Sequence, residues 1–142
     1  MVNLSKSKYC ALWQCPKMLW LRKYKPELAE VDSHTLSIME TGNAVGDLAM
    51  GLFGDFTEVT VYTDGEIDLS AMVRRTQEEI KKDTSVICEA SFEWNGLYCA
   101  VDILRREGDG WSIYEVKSST SDDKAVYIAD VAYQKFVLEH CG

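Results

Sequence analysis

The stretch SVICEASFEWNGLYCAVDILRREGDGWSIYEVK, residues 85–117, contains three apolar, strand-like runs separated by two turn signals. The first signal, Asn95-Gly96, favours a two-residue type I′ hairpin, and Glu107-Gly108-Asp109-Gly110 marks the second. Three consecutive runs joined by tight turns predict an antiparallel meander. The meander decides the fold, because the helices on either side of it in the sequence must pack on its faces.

The two turns also predict which residues face each other across the meander. The first turn places Glu89 opposite Asp102, and the second places Asp102 opposite Glu115. Alternation then puts Lys117 on the same face as Glu115. It puts a set of apolar residues on the other face, namely Phe92, Cys99, Val101, Ile103 and Val116. A bulge in either hairpin would break this register.

A row of three opposed carboxylates requires a compensating positive charge. Each adjacent pair at roughly 5 Å repels by about 3 kcal/mol at an effective dielectric constant near 20. Hard divalent ions such as Mg²⁺ bind carboxylate oxygens, and the ammonium of Lys117 lies one pleat away, where it could hold water or stabilise charge on a phosphate. The residues therefore predict a metal site built by Glu89, Asp102, Glu115 and Lys117.

The alternative interpretation of this face is an ordinary solvated surface carrying Glu and Lys. The same face also carries four apolar residues that require cover by helices, Ala100, Leu104, Trp111 and Ile113. A row of carboxylates beneath helices needs a charged partner, which favours the metal site.

The remaining sequence predicts helices on both sides of the meander. We expect helices at residues 6–24, 34–53, 69–82 and 125–141, and a strand at 58–63 that ends in an Asp-Gly turn. The 34–53 helix would bury an apolar stripe of Leu36, Met39, Val45, Leu48, Ala49 and Leu52. The predicted class is α/β, of the α+β kind, in one domain spanning 1–142, with a basic N-terminal helix at 1–26 and a core at 27–142.

The charge of the chain is very unevenly distributed. The net charge is −8, yet residues 1–26 hold six basic residues and no acidic one, so the other nine basic and 23 acidic residues give −14. Cations interleaved with aromatic rings suit phosphate neutralisation and base stacking. An amphipathic helix with core aromatics and solvated lysines is the other interpretation. The candidate nucleic-acid contacts are Lys6, Lys8, Lys17, Trp20 and Arg22.

The composition also excludes several classes. No window approaches the length of a membrane span and the start lacks a signal-peptide layout, so a soluble, cytoplasmic protein without membrane partners is expected. Five cysteines, two of them inside strand-like runs, do not indicate a disulfide framework. Cys10 and Cys15 alone fall short of the four ligands of a structural zinc site.

An Asp on one strand followed by Glu-x-Lys on the next, here Asp102 and then Glu115-Val116-Lys117, resembles the PD-(D/E)XK nuclease superfamily. The opening LSKSKYCALWQCPKMLWL, residues 4–21, is similar to that of RecB-like exonucleases, including CRISPR-associated ones and a related uncharacterised bacterial family. DVAYQKFVLE, residues 130–139, is similar to their helical Gln motif, which implies that Gln134 and Tyr133 lie near the DNA and the metal.

The resemblance implies a restriction-endonuclease-like core and a Mg²⁺- or Mn²⁺-dependent nuclease that acts on DNA, with exonuclease action as the expected sub-type. Asp102, Glu115 and the carbonyl of Val116 would bind the metal with Glu89 as an auxiliary ligand. Lys117 would position and activate the attacking water, and Gln134 would assist.

Three departures from the pattern qualify this expectation. Relatives carry a metal-binding His four residues after a helix glycine, and counting from Gly42 reaches Gly46, which leaves Asp47 and Glu40 as weak substitutes. The cysteines that hold an iron–sulfur cluster in some members have no full counterpart here, so such a cluster is not expected. The fold should also continue after the last helix, so the chain resembles the N-terminal part of a longer nuclease.

An alternative function keeps the fold without the chemistry. It is a degenerate or truncated module that grips DNA or a helicase partner through the basic N-terminal helix. An accessory interaction protein is a third interpretation. An unpaired sheet edge would also favour homo-oligomers.

Overall fold

The computed structural model describes residues 2–121 and 124–142. These residues form a mixed α/β architecture of five α-helices and seven strands, four of which have only two residues. The helices are α1 Lys6–Gln14, α2 Pro16–Tyr24, α3 Ser33–Met50, α4 Leu69–Lys81 and α5 Ala125–Cys141. The strands are β1 Leu4–Ser5, β2 Thr57–Glu58, β3 Tyr62–Thr63, β4 Glu66–Ile67, β5 Val86–Trp94, β6 Leu97–Glu107 and β7 Gly110–Tyr114.

The predicted meander is confirmed, with β6 between β5 and β7 in antiparallel pairing. Trp94 pairs with Leu97 around the first turn and Glu107 with Gly110 around the second, so both registers are the predicted ones. Asn95 has φ +48° and Gly96 has φ +82°, as a type I′ turn requires. Short strands β1 and β2 add to β6 and β5 in parallel and complete a five-stranded mixed sheet among the described residues.

The prediction of strict alternation through the meander is wrong at its centre. The β5–β6 ladder contains the pairs on either side of Glu89 and Asp102 but not that pair itself, and Glu89 has φ +57°. Val101 and Leu104 consequently belong to the same core cluster, although alternation assigns them to opposite faces, while Ile103 packs in a second cluster. The left-handed backbone of Glu89 reverses which side chains point to each face of the sheet, while the pairing register stays the same on both sides of it.

The two clusters place the core on both sides of the sheet. The larger one contains Ile87, Leu104 and Val137 and lies under α4 and α5. The smaller one contains Val86, Cys88 and Ile103 and is flanked by Met50 at the end of α3. The predicted helix at 69–82 is confirmed as α4, and the one at 125–141 as α5.

The N-terminal helix is two helices, because Pro16 starts a new one. Proline has no amide hydrogen to donate and disfavours helical geometry in the residue before it. Cys15 accordingly has extended backbone angles and ends α1, and Pro16 is the first residue of α2. Ser5 caps α1 by accepting a hydrogen bond from the Lys8 N–H.

The expectation that α3 buries an apolar stripe is wrong for most of the stripe: Val45 and Ala49 are half-buried, and of the two only Ala49 packs against a core cluster. Each residue of α3, all of them described, keeps part of its surface exposed, and Leu48 is 83% exposed. The side chains of Leu36, Met39 and Leu52 are also exposed. The helix ends at Met50 and continues as a short 3₁₀ turn at Gly51–Phe53. The predicted strand at 58–63 is likewise split, with β2 in the main sheet and β3 in a hairpin with β4.

Candidate active site

The candidate site forms along one edge of β6. Ser5, the last residue of β1, pairs with Tyr98 near the start of β6, and Tyr114, the last residue of β7, pairs with Ile103 in the middle of β6. Because β5 occupies the other edge of β6, β1 and β7 approach along the same edge from opposite ends. The residue that follows β1, Lys6, and the residue that follows β7, Glu115, therefore meet beside Asp102.

The ammonium of Lys6 joins the two predicted metal ligands. Lys6 Nζ donates to both Oε1 and Oε2 of Glu115 at 3.0 Å and lies 3.8 Å from Asp102 Oδ1. Asp102 Oδ2 accepts a hydrogen bond of 2.7 Å from the Val116 N–H, just past the end of the β6–β7 ladder. One cation thus reaches carboxylates from two neighbouring strands.

Helix α5 contributes a third carboxylate, Asp130. Its Oδ2 accepts from Lys117 Nζ at 2.9 Å, and its Oδ1 lies 3.8 Å from Lys6 Nζ. The Nε2 amide of Gln134, one turn further along α5, donates to Glu115 Oε2 at 2.7 Å and to Asp130 Oδ1 at 2.8 Å. The side chains of Glu115 and Asp130 are only 5% and 6% exposed, so their charges depend on these partners.

The electrostatics of this cluster favour charged groups. Burial opposes the charge of Lys6, but attraction by Glu115, Asp102 and Asp130 outweighs it and raises the pKa of Lys6. Burial likewise opposes the charge of Lys117, and hydrogen bonds to Glu115 and Asp130 raise its pKa nonetheless. The pKa of Asp130 is lowered, because Lys6, Lys117 and Gln134 overcome the effect of burial. Both lysines are therefore protonated at neutral pH.

Glu89 has the opposite electrostatic character. Its partial burial, together with the neighbouring charge of Asp102, raises the pKa of this carboxyl from 4.5 to about 7. It lines a cavity of about 700 Å³ together with Asp102, Glu115 and Lys117. Glu89 therefore takes up or loses a proton near neutral pH within the cavity.

Helix α3 forms the opposite wall of this cavity. Gly46, the position where the resemblance places a histidine, lines it, and a Cβ added there would meet nothing within 4 Å. Asp47 also lines the cavity, whereas Glu40 lies on the exposed surface of α3. The cavity therefore contains free space at the position where the resemblance places a histidine ligand.

The donor set fits a hard divalent ion in its chemistry. Asp102 and Glu115 offer carboxylate oxygens, and Val116 follows directly. The ammonium of Lys6 shows that a cation can reach both carboxylates at once. In the described ranges, 2–121 and 124–142, no group of three or more His, Cys, Asp or Glu side chains is arranged to hold a metal ion.

The candidate nucleic-acid residues are divided between surface and interior. Lys8, Lys17 and Arg22 are exposed, and Trp20 is half exposed. Lys6 lies in the carboxylate cluster rather than on the outer face of α1. Tyr133 is buried, stacks on Tyr9 with ring centroids 4.8 Å apart, and donates its hydroxyl to the Leu4 carbonyl at 2.8 Å. Tyr133 therefore anchors the N-terminal segment and offers little surface to DNA.

Sequence reasoning missed two members of the site. Asp130 lies four residues before Gln134, so helical spacing alone places both on one face of α5. That spacing was the available signal for Asp130. The placement of Lys6 depends on a two-residue parallel strand, which leaves no periodic pattern in the sequence.

Comparisons with known proteins give no assignment: no family model, no curated protein and no solved structure matches this chain. Within the part of the chain that the structure describes, each helix is too short or too polar to cross a membrane.

Proposed function

We propose that this chain is a metal-dependent nuclease domain that hydrolyses phosphodiester bonds in DNA. The observation that carries the proposal is the convergence of Asp102 and Glu115 on one cation, with the ammonium of Lys117 hydrogen-bonded to Glu115 Oε1 at 2.5 Å. Two carboxylates and a lysine in one cavity provide the charges that phosphodiester hydrolysis needs. Exonuclease action on DNA ends is the proposed sub-type, on the resemblance alone.

Asp102 and Glu115, with the Val116 carbonyl, would hold a Mg²⁺ or Mn²⁺ ion. The ion would supply charge neutralisation at the phosphate oxygens. Lys117 is held between Glu115 and Asp130, so its ammonium can orient water or stabilise the negative charge that develops on the phosphate. Hydrogen bonds to Glu115 and Asp130 raise the pKa of Lys117 against the effect of burial, so we assign it the positioning of water rather than the removal of its proton.

Glu89 lines the same cavity, and its burial raises its pKa to about 7. General-base catalysis is most efficient when the pKa of the base lies near the working pH. Glu89 therefore has the proton affinity of a general base, while Gln134 orients Glu115 through a 2.7 Å hydrogen bond. The exposed cations of α1 and α2 would contact flanking phosphates.

The test is digestion of end-labelled linear DNA in Mn²⁺ or Mg²⁺. We expect metal-dependent products from the wild type, and a loss of about 100-fold or more for Lys117→Ala. Lys81→Ala, on the exposed part of α4, is the matched control and should retain full activity. Digestion that survives Lys117→Ala, or that needs no metal, would contradict the proposal.

A second candidate is a binding module without catalysis, which grips DNA or a helicase. The observation that favours it is that the ammonium of Lys6 already pairs with both oxygens of Glu115. In that case Lys17→Ala and Arg22→Ala would weaken salt-sensitive DNA binding, while Lys117→Ala would not, and no DNA would be cut in any metal.

A further inference from the structure

We infer that Lys6 is an internal counter-ion that a divalent metal must displace, so that the N-terminal segment controls loading of the site. This inference rests on the proposed function, because it concerns the same carboxylates. It assigns Lys6 a role different from a DNA contact.

The geometry of Glu115 makes the two cations mutually exclusive. Lys6 Nζ is 3.0 Å from both carboxylate oxygens, so it occupies the face between them that a metal would use. A metal bound to those oxygens at about 2.1 Å would lie within contact distance of the nitrogen and would repel its charge. Glu115 therefore holds either the ammonium or the ion on this face.

The charge of the cluster indicates that a divalent ion would replace the Lys6 ammonium rather than bind beside it. The described members of the cluster are three carboxylates (Asp102, Glu115, Asp130) and the ammonium groups of Lys6 and Lys117. Replacement of one ammonium by a divalent ion neutralises the remaining negative charge. Lysine is suited to leave, because its point charge sits on a flexible four-carbon stem and its side chain keeps 19% of its surface exposed.

The first experiment is calorimetric titration of Mn²⁺ alone into the full chain and into Lys6→Met, with no DNA present. Competition predicts that Lys6→Met binds Mn²⁺ about tenfold more tightly or better, because the ion no longer displaces a charge. Lys8→Met is the matched control: Lys8 is exposed on the same helix, and its removal should leave the affinity within about twofold. A purely structural Lys6 predicts weaker Mn²⁺ binding in Lys6→Met, which would overturn the inference, as would an unchanged affinity.

A second measurement uses the wild type, so it does not depend on folding of the variant. Acetylation of lysines, read by mass spectrometry, should be slow at Lys6 in chelator and at least several-fold faster in saturating Mn²⁺. Lys8 in the same peptide should react equally in both. Equal protection of Lys6 with and without Mn²⁺ would also overturn the inference.

The two proposals fail separately. Tighter Mn²⁺ binding by Lys6→Met without DNA digestion by the wild type would reject the nuclease and keep the counter-ion. Mn²⁺-dependent digestion by the wild type, without tighter Mn²⁺ binding by Lys6→Met, would keep the nuclease and reject the counter-ion.

Discussion

The meander with α4 and α5, and the segment formed by α2 and α3, use apolar residues in opposite ways. Leu104 in β6 is 1% exposed and lies in a cluster covered by two helices, whereas Leu48 in α3 is 83% exposed. Local patterns form helices in both regions, but the first region gains most of its stability from packing, whereas in α3 only the end near Met50 packs against the core. The presence of helices therefore does not reveal which region stabilises the fold. The same substitution made in each region can reveal it.

Leu104→Ala should have the largest effect on stability, and Leu48→Ala almost none. Removal of a buried leucine side chain leaves a cavity in the core and should lower the free energy of unfolding by about 2–5 kcal/mol. The exposed change should stay within about 0.5 kcal/mol. Urea denaturation followed by circular dichroism measures both. Equal losses at the two positions would mean that α3 packs as tightly as the meander.

Thr76→Val compared with Thr41→Val examines the same contrast for hydrogen bonds. Both hydroxyls donate to the carbonyl four residues earlier in a helix, but Thr76 also accepts from the buried Ser91 N–H at 2.8 Å. Loss of that acceptor leaves a buried donor unpaired, which should cost about 1–3 kcal/mol. Thr41→Val lies on exposed α3 and should change the free energy of unfolding by less than about 0.5 kcal/mol. A cost for Thr76→Val no larger than that for Thr41→Val would contradict this reasoning.

Glu89 should make the site region less stable as the pH rises. Its pKa is about 7 in the folded chain against 4.5 for the unperturbed group, so between these pH values the folded state binds more protons than the unfolded state. The stabilising contribution of protonated Glu89 to the free energy of unfolding is therefore fully present below pH 4.5 and is lost as the pH rises through 7. With allowance for partial exposure, the loss is about 1–2 kcal/mol.

The measurement is the free energy of unfolding of wild type and Glu89→Gln at pH 5 and pH 8, in a chelating buffer. Glu89→Gln should remove this part of the pH dependence, whereas Glu40→Gln, on the exposed surface of α3, should keep it. A variant whose pH dependence equals that of the wild type would show that Glu89 titrates normally.

Gly42→Ala should give the smallest effect, and a favourable one. Gly42 lies inside α3, where a Cβ would meet nothing within 4 Å, so alanine should raise helix stability by up to about 1 kcal/mol. Because no residue of α3 is fully buried, the gain should appear as slower amide hydrogen exchange within α3 and not in β5 or β6. Slower exchange throughout the chain would indicate that α3 and the sheet unfold together.

The meander could be predicted because its turns determine the register locally. Asn95-Gly96 sets one hairpin within four residues of chain, and the pairing of Trp94 with Leu97 follows. The change of facing at Glu89 could not, because glutamate, unlike the asparagine of the Asn-Gly turn, gives no sequence signal for left-handed backbone. For the same reason, periodicity alone assigned Val101 and Leu104 to different faces.

The site was predictable where it depends on the meander and not where it depends on distant segments. Asp102 and Glu115 are brought together by a turn, whereas Lys6 is 109 residues from Glu115 in sequence. The apolar residues of α3 predicted a buried stripe because periodicity shows which residues share a face, but not whether a partner covers that face.

The hydrogen bonds from Lys6 to Glu115 join the beginning of the chain to its last quarter, and this has a consequence for folding order. During synthesis the first helices emerge long before the strand end and α5 that complete the cluster. Contacts of such long sequence separation form late, after the local hairpins have closed. A ribosome-bound fragment that lacks α5 would therefore already contain the meander, but Lys6 would still lack its contact with Asp130, and Glu115 would lack the hydrogen bond from Gln134.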